Sequence, residues 1–296
     1  MVRRLWAFVL GALALLVGGA AYAAQPEPWG INFQQSATNI MAQIAWFDWY
    51  TLIIITVITL FVLALLLYVM LRFNQKANKE PSKTSHNTML EVVWTVVPVL
   101  ILVAIAFPSF RLLYNETTIP TPELTVKATG GQWYWNYEFM DEPLAAIRMT
   151  SSMLTDEQRA QRMQEYNLTD AEVPRLLATN NALAVPVGKV VHMLVTSLDV
   201  NHAVAMPAFG IKSDAIQGRN NEVWFRAESE GVFYGQCSEL CGRLHAFMPI
   251  EIHVLSEEKF SEWTEIAKTN MRDASAQLVA WQAEGREDAV AALDAQ

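Results

Sequence analysis

The chain has 296 residues, of which 52% are hydrophobic and 17% charged, and its formal net charge is −9. This composition is too apolar for an ordinary soluble domain and too polar for a carrier with many membrane spans. It therefore indicates a few membrane helices joined to a water-exposed domain. The negative charge argues against nucleic acid as a partner, and two cysteines exclude a dense disulfide scaffold.

The first 23 residues have the features of a secretory signal peptide. Two arginines precede an apolar run over residues 5–17, and an Ala-x-Ala pattern follows and ends at Ala23. A basic start, a short apolar stretch and small residues at the end are typical of a cleaved signal. We expect cleavage before Ala24 or before Gln25. A retained membrane anchor is the alternative, and either one exports the segment that follows.

Residues 24–113 predict a transmembrane hairpin with spans at about 50–72 and about 91–113. About 20 mostly apolar residues in the first span would cover about 30 Å, one hydrocarbon thickness. Aromatic side chains that favour the membrane interface stand at its leading end, at Trp46, Trp49 and Tyr50. The hairpin is expected to lie in membrane lipid.

The loop between the two spans is basic. Arg72, Lys76, Lys79 and Lys83 are accompanied by one acid, Glu80. By the positive-inside rule this loop is cytoplasmic, so both outer ends of the hairpin emerge on the exported side. The rest of the chain is therefore predicted to be exported.

Residues 114–260 are predicted to form an all-β domain. Short apolar or alternating runs between turn residues predict strands at 124–129, 133–139, 190–197, 222–227, 232–236 and 250–255. Many short strands favour an antiparallel sandwich or a small barrel. A capping box at Thr155 begins a helical insert within residues 142–180, and residues 261–296 predict a polar helical tail.

The residues suited to chemistry lie in one loop between two predicted strands. Its spacing is Cys237-x3-Cys241-x3-His245-x2-Met248, and His202 lies upstream in DVNHAV. Two thiolates, two imidazoles and a thioether form a soft ligand set that favours copper. A tetrahedral zinc site would leave the methionine without a role.

Three arrangements of this loop are possible from the residues alone. A mononuclear blue-copper site would need one cysteine and would leave Cys237 as an extra thiol. Two thiolates could instead bridge two coppers, which suits rapid electron transfer. A disulfide between Cys237 and Cys241 is the third possibility, but it leaves His202, His245 and Met248 without a function.

With these residues in place, the sequence resembles the subunit II family of haem-copper cytochrome c oxidases from about residue 30 to 260. The motifs that carry the resemblance are the GQCSELCG loop with its following H and MP, GQWYWNYEF at 131–139, GIKSDAIQGR at 210–219 and HNTMLEVVWTVVP at 86–98. The resemblance implies a two-helix hairpin followed by a cupredoxin-like, Greek-key periplasmic domain.

The resemblance also implies a dinuclear copper centre, known as CuA, and a magnesium ion shared with subunit I. The copper ligands would be the thiolates of Cys237 and Cys241, the imidazoles of His202 and His245, the thioether of Met248 and the backbone carbonyl of Glu239. The carboxylate of Glu239 would reach the magnesium, for which it is a suitable hard ligand.

Further roles follow from the same resemblance. Trp133 would admit the electron from cytochrome c, although a core position is the alternative. Glu91 would stand at the mouth of a proton channel of subunit I, although a helix N-terminal carboxylate is expected from position alone. Glu138, Asp199 and Asp214 would attract a lysine-rimmed cytochrome c.

The resulting hypothesis is the electron-entry subunit of a proton-pumping, aa3-type cytochrome c oxidase. Cytochrome c would donate to the copper pair, which passes electrons to haem in subunit I, where oxygen is reduced to water. Subunits I and III would be partners. A quinol oxidase subunit II is a rival that lacks the copper ligands. A CuA-type, blue-copper or copper-carrier protein outside an oxidase complex is another.

Overall fold

The computed structural model describes residues 24–294, with side chains described up to Arg286. The predicted signal peptide lies outside the described residues. Two compact units are present: Ala42–Thr118 forms one, and the residues described on either side of it form the other.

The first unit consists of two long apolar helices, α1 (Asn39–Arg72) and α2 (Thr88–Thr117). Both are long and apolar enough to cross a membrane. α1 begins before the predicted first span because residues 39–49 are also helical, and α2 extends beyond the second span at both ends. The Tyr50 hydroxyl in α1 donates to the Ala104 carbonyl in α2 at 3.1 Å, so the two helices form a hairpin.

The second unit is built on two five-stranded sheets within the described residues. Their strands are β1 (Leu124–Gly131), β2 (Tyr134–Phe139), β3 (Arg148–Ser151), β4 (Leu183–Pro186), β5 (Val191–Ser197), β6 (His202–Met206), β7 (Ile211–Ala215), β8 (Asn221–Phe225), β9 (Gly231–Cys237) and β10 (Pro249–Leu255). One sheet has the order β3-β2-β1-β5-β8 and the other β4-β10-β9-β6-β7.

All six predicted strands are present, but the expectation of purely antiparallel sheets is wrong. β1 pairs with β5 in parallel, and β4 pairs with β10 in parallel. Parallel neighbours need a long connection, and the chain between β1 and β5 supplies one because it contains β2, β3, the insert and β4. Four further strands, β3, β4, β6 and β7, were not predicted, and they have four or five residues each.

The core lies between the sheets and is rich in aromatic residues. Trp135, Tyr137 and Phe139 alternate along β2 and are almost completely buried, as a period of two requires for one inward face. Phe139 also lies 5.9 Å from Trp263, measured between ring centroids. Trp263 is fully buried in α4 (Glu257–Thr269), so the C-terminal helices pack as part of this domain.

The insert forms a short helix, α3 (Asp156–Glu165), and the capping box at Thr155 is confirmed. The insert packs against the last helix, α5 (Met271–Asp294), through a small apolar cluster. Its members are Leu154, Leu168, Val173, Ala178 and Val279. β10 is consequently buried along its whole length.

Candidate metal centre

The predicted ligands come from two adjacent strands and the loop after them. His202 is the first residue of β6, and Cys237 is the last residue of β9. These strands are neighbours, with Val204 opposite Cys237. Cys241 lies in the following loop, and Met248 directly precedes β10. The sheet therefore fixes the two ends of the loop and brings its side chains toward His202.

Two buried thiols lie at the centre of the site. Their Sγ atoms are 3.9 Å apart, almost twice a disulfide bond length of about 2.05 Å, so both cysteines are free. The Nδ1 atom of His202 lies 3.8 Å from Cys237 Sγ, and Nδ1 of His245 lies 3.6 Å from Cys241 Sγ. Each thiol thus has its own imidazole.

Donor atoms of His202, Cys237 and Cys241 lie within 4.8 Å of one another, which is close enough to hold a metal ion. His245 falls outside that set but borders it through Cys241. Met248 is almost completely buried, and its carbonyl accepts from the Cys237 amide at 3.0 Å. These soft donors fit copper better than a hard cation.

The backbone carbonyl and the side-chain carboxylate of Glu239 lie in different surroundings. Its carbonyl accepts from the Cys237 thiol at 3.4 Å, whereas its side chain is exposed. The backbone of Glu239 is therefore beside the thiols, and its carboxylate remains accessible from outside.

The electrostatics of the thiols favour a bound cation. Burial tends to raise the pKa of Cys237, but hydrogen bonding to His202 and other groups lowers that pKa to about 6. Burial and the neighbouring Cys237 charge both raise the pKa of Cys241. Ionisation of one thiol therefore opposes ionisation of the other, and a bound cation would favour both thiolates.

Asp199 and Gln132 connect the ligand-bearing segments. One Asp199 oxygen lies 2.9 Å from His202 Nε2, and the other accepts from the Gln132 amide at 2.7 Å. The Gln132 side chain in turn donates to the Cys241 carbonyl at 2.8 Å. Burial tends to raise the pKa of Asp199, but His202 and backbone amides hold it below its ordinary value.

This orienting network differs from the prediction, in which Asp199 served docking and Gln132 had no role. A carboxylate three residues before a histidine ligand was the available signal, because such ligands commonly donate their second ring nitrogen to a carboxylate.

Trp133 lies in the turn between β1 and β2, so the prediction that it belongs to the strand is wrong. β1 ends at Gly131, and Gln132 and Trp133 form the turn that leads into β2. Trp133 is half-buried and lies against Gly242, next to Cys241. A Cβ atom on Gly242 would approach the indole to 3.2 Å, and its φ of +124° also favours glycine there.

The remaining predicted residues lie elsewhere. Glu138 on β2 forms an ion pair with Arg148 at 3.5 Å, and Asp214 is exposed on β7. Glu91 lies in the first turn of α2, where its amide bonds to the Asn87 carbonyl. The second unit thus brings the copper-type ligands, Trp133 and Asp199 together, and Glu91 belongs to the helical unit.

Comparisons with known proteins identify the family of this chain. The chain is 45% identical over 283 residues to cytochrome c oxidase subunit 2 of Cereibacter sphaeroides, covering 91% of this chain and 93% of that protein. The family model for the transmembrane domain of cytochrome C oxidase subunit II matches residues 26–112, and that for its periplasmic domain matches residues 124–255. The chain belongs to the cytochrome c oxidase subunit II family.

A second relative and one solved structure are also similar to this chain. The probable cytochrome c oxidase subunit 2 of Rickettsia felis is 44% identical over 249 residues, covering 84% of this chain and 75% of that protein. Among solved structures, the periplasmic domain of subunit II (CoxB) of Bradyrhizobium japonicum is 47% identical, with a TM-score of 0.45. It covers 52% of this chain and 99% of that chain.

Family membership confirms the predicted fold class, an apolar helical hairpin followed by a cupredoxin-like β domain. It also confirms that this oxidase subunit II is part of an oxidoreductase complex. The His202, Cys237 and Cys241 cluster is compatible with a copper centre.

Proposed function

We propose that this subunit II is the electron-entry subunit of a proton-pumping, aa3-type cytochrome c oxidase. It accepts electrons from cytochrome c at a dinuclear copper centre and passes them to haem in subunit I, where oxygen is reduced to water. The observation that carries this proposal is the pair of free, buried thiols 3.9 Å apart, each beside a different imidazole.

The copper ligands would be two bridging thiolates, two imidazoles, one thioether and one carbonyl. They belong to Cys237, Cys241, His202, His245, Met248 and Glu239 respectively. When bound, a bridged copper pair supplies a one-electron carrier whose charge is spread over two metals. The chain's own contribution is to fix the ligands: β6 and β9 hold His202 and Cys237 in register, and burial excludes water.

Electron entry is proposed at Trp133. Its indole lies against Gly242, one residue from Cys241, so an electron that reaches the ring has a short route to the thiols. The side chain is half-buried, which leaves part of the ring available to a docked donor. Trp135, two residues later, is completely buried and serves the core.

Docking of cytochrome c is proposed at Glu138, Asp199 and Asp214. Carboxylates attract a lysine-rimmed partner and accelerate encounter at low salt. Asp214 is exposed, but Glu138 is paired with Arg148 and Asp199 is committed to His202. We therefore assign docking chiefly to Asp214, with a smaller contribution from Glu138 because Arg148 partly neutralises it, and give Asp199 an additional orienting role.

Two further roles are proposed for residues that would face subunit I, one in binding magnesium and one in supplying protons. The exposed carboxylate of Glu239 is the proposed ligand for a magnesium ion shared with subunit I. Glu91, at the start of α2, is the proposed entrance to a proton channel of subunit I. The hairpin would lie in the bacterial inner membrane beside subunits I and III, with a cleaved signal peptide and the β domain in the periplasm.

Two rival functions differ in what they require. A quinol oxidase subunit II would not need the buried thiols and imidazoles. A copper carrier outside an oxidase would not need a transmembrane hairpin or family similarity over both domains. The ligand cluster therefore favours cytochrome c oxidation over both rivals.

The proposal is tested by stopped-flow mixing of the assembled oxidase with reduced cytochrome c. We expect electron entry into the wild-type complex and its loss in Cys237→Ser, because one thiolate cannot supply both bridges. Asp170→Asn, a change at an exposed residue of the insert, is the matched control. Rapid oxidation of cytochrome c by the Cys237→Ser complex would contradict the proposal.

A further inference from the structure

A second cluster of ionisable groups is buried outside the metal centre, on the outer face of β10. Glu251 is 2% exposed and His253 is 3% exposed. Residues two apart on a strand share a face, so both side chains point away from the core residues Ile250 and Ile252. The insert and the C-terminal helices cover this face. A buried carboxylate is costly unless hydrogen-bond and charged partners are in place.

The partners of Glu251 come largely from the insert. One carboxylate oxygen accepts from the Thr179 amide at 2.6 Å and from its hydroxyl at 3.2 Å, and lies 4.0 Å from Arg162 Nη1. Arg162 also donates to the Thr179 carbonyl at 2.6 Å. The other Glu251 oxygen lies 2.9 Å from His253 Nε2. Glu251 thus ties the insert to β10 at two points, at helix α3 through Arg162 and at the end of the insert through Thr179.

A second tie lies on the neighbouring strand. Tyr234, directly opposite Glu251 on β9, donates its hydroxyl to the Glu172 carbonyl at 3.2 Å. Gln282 of α5 donates to the same carbonyl at 2.8 Å. The middle of the insert is therefore held to the sheet and to the last helix by one shared acceptor.

The insert also borders the metal loop. A cavity of about 110 Å³ is lined by insert residues, including Leu154, Pro174 and Leu176, and by Phe247. Phe247 belongs to the turn His245–Phe247, between two predicted copper ligands. Backbone bonds of this turn are local, from His245 to Gly242 and from Phe247 to Leu244. Phe247 is 39% exposed, and the side of the turn that faces this cavity meets the insert.

We propose that the insert (residues 142–180) is a positioning element for the copper loop, anchored to β10 by Glu251 and Arg162 and bordering the loop at Phe247. This inference rests on the proposed copper centre and adds a function for a segment that carries none of its ligands. Glu251 lies three residues after Met248 on the same chain segment, so the anchor acts both through β10 and through the insert.

The test compares copper retention in the assembled oxidase carrying Glu251→Gln or Asp170→Asn. Asp170 pairs with Arg159 inside the insert, and among the described residues none of its hydrogen bonds reaches β10, so it is the matched control. We expect Glu251→Gln to release copper to bathocuproine disulfonate about tenfold faster, the lower end for residues that support ligands. Its copper electron paramagnetic resonance spectrum should also shift, while Asp170→Asn matches the wild type.

Hydrogen exchange of the insert amides shows whether Glu251→Gln has released the insert. A released insert with wild-type copper retention and spectrum would overturn the proposal. If Glu251→Gln fails to fold, Phe247→Ala decides, because it leaves the anchor intact. Faster copper release in Phe247→Ala supports the proposal, and wild-type release contradicts it. Absence of two coppers from the wild type would instead refute the proposed function.

Discussion

Asp199 links two segments that carry proposed copper ligands. Its carboxylate contacts His202 directly and reaches the Cys241 carbonyl through Gln132. Because a histidine that donates its second ring nitrogen to a carboxylate has a fixed ring orientation and a more basic ligating nitrogen, Asp199 should influence the metal as well as any docked partner. Asp214, which is exposed on β7, has no such route to the site.

This difference gives a prediction for Asp199→Asn against Asp214→Asn. We expect Asp199→Asn to shift the copper spectrum and to weaken copper binding by about tenfold, because His202 loses its anionic partner. Asp214→Asn should leave the spectrum unchanged and lower only the association rate with cytochrome c at low salt, where charge attraction is weakly screened. Copper titration and stopped-flow kinetics over a salt series measure the two effects. An Asp199→Asn complex with an unchanged copper site would show that Asp199 serves docking alone.

The proposed role of Trp133 in electron entry can be tested separately from docking and from copper binding. Trp133→Phe keeps an apolar ring against Gly242 but removes the indole, so we expect slower electron entry with similar docking affinity and an unchanged copper spectrum. Trp133 and Trp135 differ in exposure, and Trp135→Phe should instead lower thermal stability because Trp135 is completely buried. Equal losses of cytochrome c binding and of electron transfer in Trp133→Phe would indicate a packing role.

At the scale of single elements, the start of α2 has a capped first turn. Asn87 is its N-cap, and the Asn87 side chain accepts from the amides of Met89 and Leu90. The turn is therefore stabilised without help from the Glu91 carboxylate, although an acid in this position is also favourable by the helix dipole. A channel role for Glu91 predicts a loss of turnover on mutation, whereas a capping role predicts a loss of stability.

If Glu91 supplies protons, Glu91→Ala should slow oxidase turnover while copper spectra and electron entry from cytochrome c stay intact. If it is only an N-terminal carboxylate, the same change should cost about 0.3–1 kcal/mol of stability and leave turnover near normal. Steady-state oxygen consumption and stopped-flow reduction of the copper centre separate the two. Normal turnover in a fully assembled Glu91→Ala complex would contradict the channel role.

The sequence predicted those elements whose patterns are local. Alternation along β2 and the apolar runs of α1 and α2 are properties of adjacent residues, and these elements are present. β4 and β6 were missed because they are nearly continuously buried and lack alternation. The parallel pairs could not be predicted, since pairing depends on which distant strands meet.

The same distinction applies to the site. The loop from Cys237 to Met248 could be identified because its donors lie within twelve residues of sequence. The Gln132 bridge and the Glu251 anchor join residues more than 60 positions apart, and neither has a local signature. Trp133 was placed in a strand because its neighbours alternate, but two residues of turn separate β1 from β2.

At the scale of the whole molecule, this oxidase subunit II divides chemistry between its two units. The helical unit carries the apolar surface suited to lipid and partner helices, and the β domain carries the soft ligand cluster. Each unit matches its own family model. Under the proposed function, oxygen would be reduced in subunit I, and the β domain would relay single electrons from cytochrome c to that subunit.

Copper stoichiometry combined with electron paramagnetic resonance of the isolated wild-type complex tests the central claim most directly. Copper bound by subunit I must be subtracted, which the Cys237→Ser complex allows when it is measured in parallel. The account predicts two coppers on this chain that share one unpaired electron in the oxidised state, and their loss as a delocalised pair in Cys237→Ser. A single copper with the spectrum of a mononuclear blue site, or no copper on this chain, would contradict it.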